Sequence, residues 1–288
     1  LAMKFNIKAG GLNHKLVDGV LDQYLPKRNT TVIFGADVTH PPAGSMVGYP
    51  SIACVVGSVD NNFQNYPGSM RLQAGRQERI EDLNEMVEER LEAWYAHRGR
   101  KPFPTSILFY RDGISESQFA ECKEKEVAAI RTGFSAFATK HDNPTASCKV
   151  TFVVVGKRHH TRFFPPSKEE SYTTGKTPPA GKAPIVNGNV QPGLFVDEVI
   201  TAPEDYNFFL QSHSAIQGTA RSAHYTVLED KMGLISRNEK TGVVDGSNLA
   251  NLTHNLCYSY ARATTGVSYV APAYIADRLC ERGRVYLR

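Results

Sequence analysis

The chain has 288 residues, 41% hydrophobic and 22% charged, an ordinary globular composition with enough apolar material for a large core. Its 33 Lys and Arg against 29 Asp and Glu leave a formal charge of +4, which permits a polyanionic partner without demanding one. Cys54, Cys122, Cys148, Cys257 and Cys280 are scattered without a C-x-x-C pair, against zinc and a disulfide framework and for a reducing compartment, and no apolar run approaches the roughly 20 residues that span a bilayer.

The start, LAMKFNIKAGG, lacks a signal-peptide h-region and begins mid-element, as expected of a piece of a longer chain. Residues 1–30 read as short and loop-rich, broken at Gly10-Gly11. Residues 31–38 and 51–59 (SIACVVGSV) read as buried strands, short apolar runs bounded by turn signals. A more polar strand fits around 62–72. An amphipathic helix follows at about 78–98, with Ile80, Leu83, Val87, Leu91 and Trp94 at helical spacing. PTSILFYRDG, 104–113, is a further buried strand, 116–140 a helix and 149–156 a strand. Residues 165–192, rich in Pro, Gly, Ser, Thr and Lys, read as an exposed loop. Short strands are expected near 193–200, 207–212 and 223–229, and a surface insertion at 231–246. Helices close the chain at about 247–263 and 272–286, with Pro272 in the first turn. Clustered strands followed by strand–helix alternation indicate an α/β domain with a central mixed sheet flanked by helices, whose sites lie at the carboxyl ends of central strands.

VIFGAD and ILFYRD both end an apolar run on an aspartate, Asp37 and Asp112. An Asp there can simply cap a turn, and Asp112-Gly113 is a turn signal in its own right. If the two strands are neighbours, both carboxylates leave the same end of the sheet, where oxygen ligands suit Mg²⁺ or Mn²⁺. Glu78 can join them only from the loop or first turn before its helix. Within the helix it would point away from Ile80, Leu83 and Val87 and be a solvated charge. Asp277 lies in the first turns of the last helix, where the dipole favours a carboxylate. Arg282, five residues on, sits about 140° further round, so one helix can aim the two at different sites.

In this order, GADVTHPPAG, RQERIEDLNEMV, FYRDGISESQF, VVVGKRHHTRFF, SHSAIQGTARSAHY and APAYIADR resemble the PIWI domain of a eukaryotic Argonaute, with a fungal, quelling-type member expected. The resemblance runs from about residue 4 to 288. It implies a ribonuclease H-like fold and a guide-directed endonuclease that cuts one phosphodiester of a base-paired RNA target. It makes Asp37, Glu78, Asp112 and Asp277 the catalytic tetrad, with Glu78 as a mobile finger. Asp37, Asp112 and Asp277 become the ligands of two Mg²⁺ ions, Mn²⁺ serving as a substitute. The fourth position is more often His in the family; Asp is as good a ligand for a hard cation.

Lys157, Arg158, His159, His160 and Arg162 form a basic run after a strand, either a solvated loop or a contact to an RNA backbone. His159-His160 is a poor metal pair, because adjacent strand residues face opposite ways. The resemblance places Lys4, Lys8 and Arg282 at the guide's 5′-phosphate, in a pocket shared with the MID domain. It places His213, Gln217, Arg221, Tyr260, Arg262, Ser268 and Tyr274 along the guide's backbone, contacts that position a strand without reading its bases. Tyr260 and Tyr274 can equally be core aromatics with a polar tip. Residues 1–28 are then the end of MID and its connection, and 29–288 the PIWI domain. The implied partners are a small guide RNA, its complementary target, the chain's own MID domain and tryptophan-rich silencing proteins, in the cytoplasm, with no membrane. The alternatives are a non-cleaving Argonaute that recruits silencing partners, and another ribonuclease H-like enzyme such as a hybrid nuclease or transposase. GADVTHP and KRHHTR speak against the latter.

Overall fold

A computed structural model of the chain describes every residue except 47, 174–184, 203–204, 216, 239 and 288. Eight strands form one mixed sheet: β1 (Thr31–Thr39), β2 (Ser51–Gly57), β3 (Gly68–Gln73), β4 (Ser106–Asp112), β5 (Lys149–Gly156), β6 (Leu194–Val196), β7 (Asn207–Gln211) and β8 (Ala223–Asp230). Their spatial order is β3-β2-β1-β4-β5-β8-β7-β6. The central β1, β4 and β5 are mutually parallel, and antiparallel strands complete both sides. The parallel strands are buried on both faces, which is why they read as unbroken apolar runs rather than alternating ones.

Alternate side chains of these strands feed two cores. Val32, Phe34 and Ala36 of β1 and Ile107 and Phe109 of β4 pack under α3 (Leu83–His97) and α4 (Phe119–Lys140). Ile33, Leu108 and Tyr110 face the other way, toward α5 (Ser247–Cys257) and α6 (Ala271–Tyr286). Helix α6 lies against β1 at Gly35, where a Cβ would stand 2.2 Å from the Pro272 carbonyl. Only a glycine lets the two backbones approach so closely. A small hairpin, β9 (Ser236–Arg237) with β10 (Val244–Asp245), occupies the expected surface insertion.

Several boundaries differ from the sequence reading. The first 30 residues hold two helices, α1 (Ala2–Lys8) and α2 (Val20–Tyr24), where loops were expected. The α1 segment is tied down from outside: Asn13 Nδ2 donates to Met3 O at 3.0 Å and to Ala261 O at 2.7 Å. The polar strand begins at Gly68 because Asp60 first folds the chain into a turn, accepting from the N–H groups of Asn62 and Asn65. The helix expected at about 78–98 starts at Leu83, and the one expected to reach 263 ends at Cys257. Of the loop at 165–192, residues 174–184 lie outside the described residues; the rest includes a bridge between Thr173 and Val186.

Candidate active site

The register of β1 on β4 pairs Ala36 with Arg111, so Asp37 and Asp112, each one residue further on, lie side by side. Asp37 is inside its strand, opposite Cys54 of β2, rather than at the strand's end. Alternation turns both carboxylates toward the α6 face, where Asp277 comes down from that helix. Two contacts hold α6 in place: the Cys280 thiol lies 3.3 Å from Asp37 O, and Arg284 donates to His40 O.

Glu78 arrives from the opposite layer, in the segment before α3. It faces His40 Nε2 at 2.6 Å and Arg111 Nη2 at 3.2 Å. Gly113, at φ +89°, turns the chain away after Asp112, and a Cβ there would lie 3.3 Å from Glu78 Oε1 and 3.5 Å from Asp37 Oδ1. The two carboxylates therefore flank one point. All four acids line a cavity of about 820 Å³, which is also lined by Lys157, Arg158 and His159 of the basic run.

The electrostatics follow from burial that Arg111 offsets only in part. Burial, and then repulsion from Asp37 and Asp277, pushes the Asp112 carboxyl up to about 7 against the pull of Arg111. Burial raises Asp37 as well, with Arg111 opposing and Asp277 adding to the rise. Asp277 is raised by burial and by Glu281, against Arg278. In the same cavity, burial lowers Lys157 from the usual ammonium value while Asp112 opposes the shift. Mutually repelling carboxylate oxygens suit a hard divalent cation, and this donor set contains no soft ligand. Among the described residues, no three His, Cys, Asp or Glu side chains stand as a ready-made metal cage. The donors thus fit the expected cation by chemistry, with the four acids around one cavity rather than closed on one centre.

The residues expected along a guide are divided between two places. Tyr260, Arg262 and Arg282 line a second cavity of about 360 Å³, together with Ile7 of α1. Asp277 and Arg282 thus serve different cavities from one helix, as their spacing indicated. Lys4 and Lys8 are exposed on α1. Tyr274 packs edge-on against Tyr260 (4.9 Å between centroids) and tilted against Tyr269 (5.0 Å), and Tyr269 lines the acidic cavity, so an aromatic row joins the two sites. His213 and Arg221 lie by Lys157; burial, then Lys157, pushes His213 down to about 4, so it offers a neutral imidazole. Gln217 is exposed and Ser268 half-buried, and neither lines these cavities. His159 Nε2 donates to Ser222 O at 2.9 Å.

His40, Arg111 and Glu126 were missed from sequence. Arg111 had a visible signal: a cation inside the apolar strand SILFYRD needs a buried partner.

Residues 1–288 match the family model described as Piwi domain. The chain belongs to the Piwi domain family. It is 40% identical to protein argonaute 1A of Oryza sativa subsp. japonica over 302 residues, covering all of this chain and 25% of that protein. Among solved structures, Kluyveromyces polysporus Argonaute with a guide RNA superposes with a TM-score of 0.81 at 31% identity, covering 98% of this chain and 30% of that one. The C-terminal lobe of a budding yeast Argonaute superposes with a TM-score of 0.80 at 32% identity, covering 98% and 52%. The Piwi chain thus spans about a quarter of the rice relative's length, and its mixed sheet with flanking helices is the ribonuclease H-like fold of Argonaute PIWI domains. Rice and yeast relatives together do not fix the fungal, quelling-type origin expected above.

Proposed function

We propose that this Piwi domain is the slicing part of an Argonaute, a guide-RNA-directed endoribonuclease that hydrolyses one phosphodiester of a base-paired target in RNA silencing. The observation that carries the reading is the pairing of Asp37 and Asp112 on adjacent parallel strands, with Glu78 and Asp277 brought to the same cavity from opposite layers. Asp37, Asp112 and Asp277 would hold Mg²⁺, or Mn²⁺ in its place. Two bound ions would supply Lewis-acid stabilisation of charge on phosphate oxygens and a more acidic water.

The chain's own residues do the remaining work. Buried acids set the position of positive charge at one sheet end. Glu78, restrained by His40 and Arg111, completes the acidic rim. Lys157 and Arg158 line the same cavity as the acids, just beyond the end of β5, and meet a backbone phosphate there. Tyr260, Arg262 and Arg282, with Lys4, Lys8, His213, Gln217, Arg221, Ser268 and Tyr274, position the guide by backbone contacts, and sequence choice rests on guide–target pairing. The structure of the K. polysporus Argonaute with a guide RNA supports a guide as ligand. Residues 1–28 form the end of the MID domain, whose remainder completes the 5′-phosphate pocket. Tryptophan-rich silencing proteins and a cytoplasmic setting complete the proposal.

The test uses the full-length protein loaded with a guide RNA and a matched, end-labelled target in Mg²⁺, beside Asp112→Ala. One cut at a fixed guide position is expected, lost in Asp112→Ala and in chelator. Tight, guide-dependent target binding without a cut would overturn slicing in favour of a silencing scaffold.

A further inference from the structure

Glu126 breaks the pattern of its helix. It sits in the buried stripe of α4 with Cys122, Val127 and Ile130, where an apolar side chain belongs, and it is 1% exposed. Arg111 breaks the pattern of β4 in the same way, fully buried on the face of Ile107 and Phe109. The two charges meet across the sheet–helix interface, Arg111 Nε to Glu126 Oε2 at 3.2 Å. Their remaining groups reach toward the acidic cavity. Glu126 Oε1 accepts from the Ile80 N–H at 3.1 Å. Arg111 Nη2 donates to Glu78 O at 2.6 Å and to Glu78 Oε1 at 3.2 Å, and Nη1 donates to Asp112 O. The Cys122 thiol, 3.3 Å from Glu126 Oε2, supports the carboxylate from one turn back.

We propose that Glu126 is a positioning residue of the acidic site, holding the segment that carries Glu78 through both Arg111 and the Ile80 backbone. Neutralising a buried guanidinium takes one carboxylate oxygen; the second oxygen is spent on the backbone two residues beyond Glu78. That bond fixes where the turn leaves the sheet end before α3 begins at Leu83. The clamp spans both layers of the site, because the same guanidinium grips the Asp112 carbonyl. The proposal rests on the slicing reading for its effect on rate, but not for its effect on the segment itself.

Glu126→Asp keeps the negative charge beside Arg111 and is one methylene too short to reach Ile80 as well. In the full-length, guide-loaded protein, amide exchange across residues 76–82 is expected to quicken roughly ten-fold, with peptides of β1 and β4 unchanged. Single-turnover cleavage is expected to fall roughly ten-fold at unaltered guide affinity. In a Glu78→Ala background the same change should cost no further rate, since it acts through Glu78. Glu126→Gln, which keeps the volume and the oxygen for Ile80 but strips the charge from Arg111, is the second variant should Glu126→Asp not fold. Wild-type exchange at 76–82 in Glu126→Asp, or, where only Glu126→Gln folds, wild-type exchange together with wild-type cleavage, or a rise shared equally by α4 and β4, would overturn the proposal. If the unaltered protein cuts nothing, slicing falls while the exchange measurement still decides the positioning role.

Discussion

The two cavities served by α6 are opposites. The acidic one is made by strand ends, with Asp37 buried and Asp112 pushed up to about 7 by burial and like charge. The cationic one is lined by α6, by the loops at 64–67 and 260–262, by Val56 and Gly68 of the β2–β3 edge and by Ile7 of α1, with Arg262, Arg278 and Arg282 among its lining. Side chains on central parallel strands have little freedom, which suits chemistry that needs fixed charges. Arginines near the surface keep rotamer freedom and give way to a long flexible polyanion. The difference teaches that rigidity here is spent where charge must be held against repulsion, and latitude is kept where charge is attracted.

The sharpest way to break this contrast is to remove a charge from the rigid side. Asp37→Asn is expected to lower single-turnover cleavage by about 100-fold or more with guide affinity unchanged, the scale for losing one fixed group acting on developing charge. Cleavage kept within a few-fold would mean that the acids are idle. Gly35→Ala tests the packing that brings α6, and so Asp277, to the acids. The new Cβ meets the Pro272 carbonyl, so urea denaturation should show a loss of about 1–3 kcal/mol. On the pliable side, Arg282→Ala should weaken guide binding roughly ten-fold and flatten its salt dependence, at unchanged cleavage under saturating guide.

The smallest effect concerns protons. In the folded chain Asp112 keeps its proton up to about pH 7, against the usual carboxylate value of 3.8 when unfolded. Folding therefore takes up a proton in that window, and the stability this brings is present on the acid side and lost as pH rises through about 7. In chelator, the stability of the unaltered protein relative to Asp112→Asn should fall by about 1 kcal/mol or less between pH 6 and 8, a comparison that cancels the opposite contribution of the buried histidines His213 and His224, and Mg²⁺ should remove the difference in slope. A difference that grows with pH would contradict the burial of this acid.

Much of the fold was legible because its central strands are buried on both faces and so announce themselves as apolar runs. TVIFGADVT and SILFYRD needed no partner to be recognised. The place of Glu78 was only half legible: its helix was expected to begin at about 78, with a solvated charge and an inward-reaching loop residue as the alternatives, whereas α3 begins at Leu83. Helix α1 was not legible, because seven residues are too few to hold a helix alone and Asn13 secures it through Ala261, far along the chain.

Local pattern was therefore enough for the strand set, the end of the sheet that carries Asp37 and Asp112, and the two directions in which α6 sends Asp277 and Arg282. Those features depend on periodicity and on the geometry of single elements. Tertiary structure alone decided that β1 and β4 are neighbours in a register that sets the two aspartates side by side, and that Arg111 meets Glu126 behind them. Register and buried ion pairs are settled when separate elements pack, where each charge must find its partner or remain unburied, and no single segment carries that information.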